Sequence, residues 1–158
     1  VALRAHFPHL IYLIIGDGAE REQLEQKVKM LRAESYIHFA GNRSEDLTEI
    51  YDLMDVFFFL SKSEGLSMTL LEAMRQSKPA IASNVGGNPE VVETKLGLET
   101  GILINLEDSD KVIIGKITQM LSDRSHLKAI GARGKARMQK LFTFERMLAE
   151  YEKLYCAS

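Results

Sequence analysis

The chain has 158 residues, 46% of them apolar and 27% charged, with a net charge of -2. That is one domain's length, with enough apolar residues for a sizeable core. Lys and Arg are interleaved with Asp and Glu, which argues against nucleic acid as a partner, and the apolar runs are too short and interrupted for a transmembrane helix.

Val1 to Pro8 reads as the end of a helix followed by a short loop, so sequence upstream of Val1 is expected. The segment contains Arg4 and His6 and lacks the apolar run of a signal peptide. Together with a single cysteine, Cys156, this suggests a cytoplasmic protein. His9 to Ile15 is rich in Ile, Leu and Tyr and bounded by Pro8 and Gly16, the pattern of a buried strand. Gly16-Asp17-Gly18 is the turn after it. Glu20 to Ala33 is helical, with Leu24, Val28 and Leu31 on one face. Tyr36 to Phe39 is a short strand that ends at Gly41, and Glu45 to Leu53 a short helix with Leu47, Ile50 and Tyr51 facing inward. Val56 to Leu60 is a third strand, Ser67 to Gln76 a helix, and Ala80 to Ser83 a fourth strand. In the loop Val85 to Glu90, Asn88 is placed to cap a short helix with Pro89 at its first position. Gly101 to Ile104 is the last strand. Helices follow at about Asp110 to Leu121, His126 to Leu141 and Phe144 to Tyr155.

Alternating strands and helices joined by short loops predict an α/β fold: a mostly parallel sheet covered by helices on both faces, a Rossmann-like three-layer sandwich. The strand-to-helix loops at Gly16, Asn42, Glu64 and Gly86 then fall at one edge of the sheet, where they are expected to line one crevice.

The segment Ser63-Glu64-Gly65-Leu66-Ser67-Met68-Thr69-Leu70-Leu71-Glu72-Ala73-Met74 carries the strongest chemical signal. Glu64 lies in a loop and Glu72 on the following helix, roughly 12 Å away along the axis at 1.5 Å per residue. Between them the first backbone N–H groups of the helix are free to bind an anion. Gly65 and Ser67 let a phosphate approach closely, and Ser67 also suits ordinary capping. Glu72 is a carboxylate inside an otherwise apolar stretch, able to accept hydrogen bonds from sugar hydroxyls. Gly86-Gly87 lets the next loop's backbone approach the same ligand, or forms a simple turn. A nucleotide-diphosphate sugar, with its negative middle and hydroxyl-rich ends, has the matching shape.

Other motifs point elsewhere and fail. Gly16-x-Gly18 lacks a third glycine, since position 21 is Arg21, so a dinucleotide site is not supported. Asp108-Ser109-Asp110 precedes a helix and is read as capping rather than metal binding. The four histidines show no metal-ligand spacing. Gly131 to Lys135 is read as a solvated basic face.

The Ser63–Met74 segment resembles the group 1, or family 4, retaining glycosyltransferases of the two-domain GT-B fold. Leu13-Ile14-Ile15-Gly16-Asp17-Gly18, His38-Phe39-Ala40-Gly41, Ser83-Asn84-Val85-Gly86-Gly87-Asn88-Pro89-Glu90 and Gly101-Ile102-Leu103-Ile104 extend the resemblance in order and spacing. It implies that the chain is the C-terminal, donor-binding half of such an enzyme, lacking its first strand and the N-terminal domain that reads the acceptor. By the same resemblance Glu64 is the catalytic residue and contacts the donor sugar. Gly65, Leu66 and Ser67 surround the sugar and diphosphate, Glu72 binds the ribose hydroxyls, and Asn42 and Arg43 meet the base. Gly16, Gly18, Gly86 and Gly87 complete the donor site. No metal and no cofactor beyond the nucleotide-sugar donor are implied. Ser67 stands where the family often has glycine, and the family's basic pair would precede Val1. The chain alone is therefore expected to bind nucleotide weakly and not to catalyse transfer. The complete protein is expected to act in cell-surface polysaccharide or glycoconjugate synthesis, which is compatible with peripheral membrane association. A GT-B-type nucleotide-sugar epimerase and a non-catalytic α/β interaction module are the alternatives.

Overall fold

A computed structural model describes residues 1–156. The chain divides between Ile50 and Tyr51 into two units. In the first, β1 (Tyr12–Ile15) and β2 (Ile37–Gly41) pair in parallel on either side of α1 (Arg21–Met30) in the sequence. The register slips between Ile14 and Ile15, so that Ile15 lies beside Gly41. Val28, Ala33 and Tyr36 form the buried cluster, flanked by Ile37 and Phe39. Arg4 donates from Nη1 to the Leu10 carbonyl at 2.6 Å, and its guanidinium lies 4.9 Å from the centre of the Tyr36 ring.

The expected inward face of α1 is only partly formed. Val28 is buried, but Leu24 and Leu31 are exposed. The helix ends at Met30, and Arg32 takes a left-handed φ of 52°. Leu31 still donates to the Lys27 carbonyl at 3.0 Å; the chain turns only at Arg32, and Ala33 then joins Val28 in the buried cluster. Strand β1 also starts later than expected, leaving Ile11 outside it and exposed.

Helix α2 (Leu47–Leu53) spans the junction. From Tyr51 onward the elements are β3 (Phe57–Phe59), α3 (Met68–Arg75), β4 (Ala80–Ser83), α4 (Asn88–Val91), β5 (Gly101–Ile104), α5 (Asp110–Leu121), α6 (Arg124–Leu141) and α7 (Phe144–Cys156). The sheet runs β3-β4-β5, all parallel, with Phe57 beside Ala80 and Ala80 beside Gly101. Every residue of the central strand β4 is buried, as a parallel strand covered on both faces requires. Helix α3 buries Leu70, Leu71, Ala73 and Met74, an i, i+1, i+3, i+4 stripe. With Ala80, Ala82, Val91 and Val92 they make the main core, against which Phe57, Leu103, Met138 and Phe142 pack. After α3 the chain turns through Ser77, at φ 58°, whose N–H donates to the Met74 carbonyl at 2.9 Å.

The α/β class with parallel pairing is thus found in both units, as a two-stranded sheet in the first and a three-stranded sheet in the second. Four local expectations change. Asn88 is not a cap: Gly87 holds that position, while Asn88 is fully buried and donates from Nδ2 to the Ser83 carbonyl at 3.0 Å. The Asp108-Ser109-Asp110 run supplies no side-chain cap to α5; Asp108 instead accepts from Lys116 Nζ at 2.7 Å. Helix α6 begins two residues early because Asp123 accepts from the N–H groups of Ser125 and His126. The basic run on α6 is not simply solvated. Arg133 donates from Nε to the Glu99 carbonyl at 2.8 Å and pairs with the Glu99 carboxylate, while Gly131 and Gly134 are buried.

Candidate functional site

Strands β3 and β4 are parallel, so the loops leaving their carboxyl ends, Leu60 to Ser67 and Asn84 to Gly87, emerge on the same edge. The two loops touch through their backbones. The Gly87 N–H donates to the Gly65 carbonyl at 3.0 Å. A Cβ on Gly86 would lie 1.7 Å from the Glu64 carbonyl oxygen, and one on Gly87 would lie 2.6 Å from that of Gly65. Gly86 also has φ +53°. The glycine pair is therefore demanded by contact with the Glu64-Gly65 backbone. The close approach seen here is between the two loops.

Behind this junction is a polar brace. Ser83, fully buried at the end of β4, accepts at Oγ from the Ser61 N–H at 3.1 Å, and its carbonyl accepts from Asn88. Asn84 donates from Nδ2 to Asn105 Oδ1 at 2.9 Å and so links the ends of β4 and β5. Arg137 of α6 donates from Nε to the Val91 carbonyl at 3.0 Å and from Nη2 to that of Glu90 at 2.9 Å. Those carbonyls end the one-turn helix α4, which would otherwise leave them without partners.

The start of α3 is open. Ser67 is buried and caps the helix, accepting at Oγ from the Leu70 N–H at 3.3 Å and lying 3.1 Å from Thr69 Oγ1. Its carbonyl accepts from Leu71. Gly65, Leu66 and Met68 are exposed, and nothing would obstruct a Cβ on Gly65. The Leu70 N–H is taken by this cap, and the N–H groups of Met68 and Thr69 lie ahead of it at the positive end of the helix. Glu64 is half-buried beside this opening, and Glu72 is exposed two turns on. Tyr51 reaches Glu72: its hydroxyl lies 3.3 Å from Oε2 and 3.4 Å from the Thr69 carbonyl. Burial, then the Glu72 charge, pushes the phenol up to about 12.

Glu64, Gly65, Leu66, Ser67, Glu72, Gly86 and Gly87 thus belong to one unit, and the first loop meets the second through backbone contacts. Gly16, Gly18, Asn42 and Arg43 lie on loops of the first unit. Gly16 has φ +121°, and the Gly18 N–H donates to Asp17 Oδ1 at 2.8 Å. Arg21, which occupies the place of a third glycine, pairs with Asp17 and Glu25. Asn42 is exposed, and Arg43 is held by Asp46, which draws the Asp46 carboxyl below its ordinary range. Tyr51, Asn88 and Arg137 were not among the expected site residues. The signal for Tyr51 was available: a tyrosine on an inward helix face needs a partner for its hydroxyl. A separate cavity of about 330 Å³ lies at the amino ends of β3 and β4. There Asp52 and Asp55 face Lys78, Arg124 and Lys128 in near charge balance.

Residues 2–137 match the family described as glycosyl transferases group 1. N-acetyl-alpha-D-glucosaminyl L-malate synthase of Bacillus anthracis is 32% identical over 143 residues, covering 90% of this chain and 36% of its own length. The chain thus spans little more than a third of that relative. Among solved structures, the pneumococcal O-GlcNAc transferase GtfA, in complex with UDP and GlcNAc, is 26% identical with a TM-score of 0.79, over 97% of this chain and 30% of that one. The Anabaena protein HepE, in complex with UDP and glucose, shares the fold at a TM-score of 0.84 and 22% identity, over 99% of this chain and 43% of that one.

Proposed function

Since the chain belongs to the group 1 glycosyl transferases, we propose that it is the donor-binding part of an enzyme that transfers a sugar from a nucleotide diphosphate to an acceptor with retained configuration. The observation that carries this reading is the open start of α3 between two carboxylates, braced from behind by the Gly86-Gly87 loop. The N–H groups of Met68 and Thr69, ahead of the capped Leu70, take the diphosphate, where the helix dipole favours negative charge. Glu64, half-buried at the loop, accepts from the donor sugar's hydroxyls and acts as the catalytic residue. Gly65, Leu66 and Ser67 present backbone around the sugar and diphosphate. Glu72 accepts from the ribose hydroxyls. Asn42 and Arg43 meet the base, and Gly16 and Gly18 border the donor.

A similar protein bound to UDP and GlcNAc supports a uridine nucleotide as the first probe. Titrating the chain with UDP and following backbone amide NMR shifts tests the reading. The largest changes are expected at residues 64–72 and at Gly86 and Gly87. Shifts confined to other residues, or none at millimolar UDP, overturn it. The complete protein is proposed to work in the cytoplasm on cell-surface polysaccharide or glycoconjugate synthesis, with the acceptor read by a further domain.

A further inference from the structure

Tyr51 stands at the junction of three elements. The residue is 6% exposed, and its ring lies 6.0 Å from that of Phe57, tilted by 58°. Its hydroxyl faces α3 at one point only, between the Thr69 carbonyl and Glu72 Oε2. A phenol has one proton to donate, and a carboxylate at the same site is the stronger acceptor. Glu72 itself is exposed, and a free glutamate spreads over many rotamers.

We propose that Tyr51 is a positioning residue for Glu72, holding its carboxylate in the orientation that receives ribose hydroxyls and so sharpening the choice of ribonucleotide over deoxyribonucleotide. The inference rests on the reading of Glu72 given above. Donation to Oε2 fixes one lone pair of the carboxylate and leaves its other lone pairs for hydroxyl donors of the ligand. The buried ring makes the phenol a fixed point, because moving it would break its packing on Phe57. The bond is long for O–H···O, so the expected effect is several-fold rather than total.

The test compares affinities of UDP and its 2′,3′-dideoxy analogue for the wild-type chain, Tyr51→Phe, Glu72→Gln and the double variant. Phenylalanine keeps the ring and its packing, so a purely structural role predicts no change in the ratio of the two affinities. Tyr51→Phe is expected to weaken UDP binding about 3- to 10-fold and leave the dideoxy analogue unchanged. The double variant is expected to be no worse than Glu72→Gln. If Glu72→Gln lowers the ratio and Tyr51→Phe does not, the positioning role fails and the donor-site reading stands. If Glu72→Gln leaves the ratio unchanged, the ribose role of Glu72 fails and that of Tyr51 with it. An NMR titration of the Tyr51 Cζ resonance checks the contact without ligand. Glu72→Gln is expected to lower its midpoint, and an unmoved midpoint overturns the contact.

Discussion

Single atoms decide whether the Glu64 loop keeps its shape. Adding a methyl group at position 86 places carbon 1.7 Å from a carbonyl oxygen of the neighbouring loop, at a left-handed φ as well. Neither backbone can yield without breaking the Gly87-to-Gly65 bond. Gly86→Ala is therefore expected to destabilise the chain by roughly 2–4 kcal/mol, measured by urea unfolding. In the variant that remains folded, UDP binding should fall further than stability alone explains, because the site loop itself is displaced. Gly65 offers the contrast, since nothing stands in the way of a Cβ there. Gly65→Ala should be tolerated in folding and act on binding alone.

Elements depend on one another through a few charged side chains. Helix α4 is a single turn, too short to persist by propensity. Arg137 closes it from α6 by donating to two of its carbonyls, and Glu93 pairs with the same guanidinium at 3.5 Å. Arg137→Ala leaves those carbonyls without partners in a partly buried place. The expected cost is about 1–2 kcal/mol. The amide shifts of Gly86 to Val92 should change although none of them is mutated, and an unmoved Gly86-Gly87 pair would show that α4 does not position the loop. Helix α7 depends on less: it buries no residue and exposes Phe144, Met147, Leu148 and Leu154.

At the scale of the chain, the two units differ in what holds them. The first has a buried cluster of Val28, Ala33 and Tyr36 under two short strands. The second has a fully buried central strand and a core drawn from α3, β4 and α4. Local opening free energy follows buried apolar contact. Hydrogen exchange is therefore expected to be faster for the β1 and β2 amides than for β4, with opening free energies lower by at least roughly 1 kcal/mol. Equal protection across both sheets would show that the units open together.

Residue order alone was enough for the α/β class, for most strands and helices, and for the identity of the strand-loop-helix that carries Glu64 and Glu72. Apolar runs between Gly and Pro positions, and a helical stripe such as Leu70, Leu71, Ala73 and Met74, are written in short-range spacing, which one chain displays without partners. Three-dimensional packing decided the rest. It turned Asn88 from a cap into a buried brace on Ser83, gave the Gly86-Gly87 pair a backbone neighbour twenty-two residues away, and set the Tyr51 hydroxyl on Glu72. The last two are contacts between segments far apart in the chain, and local spacing holds no information about which distant atoms will compete for the same space or the same proton.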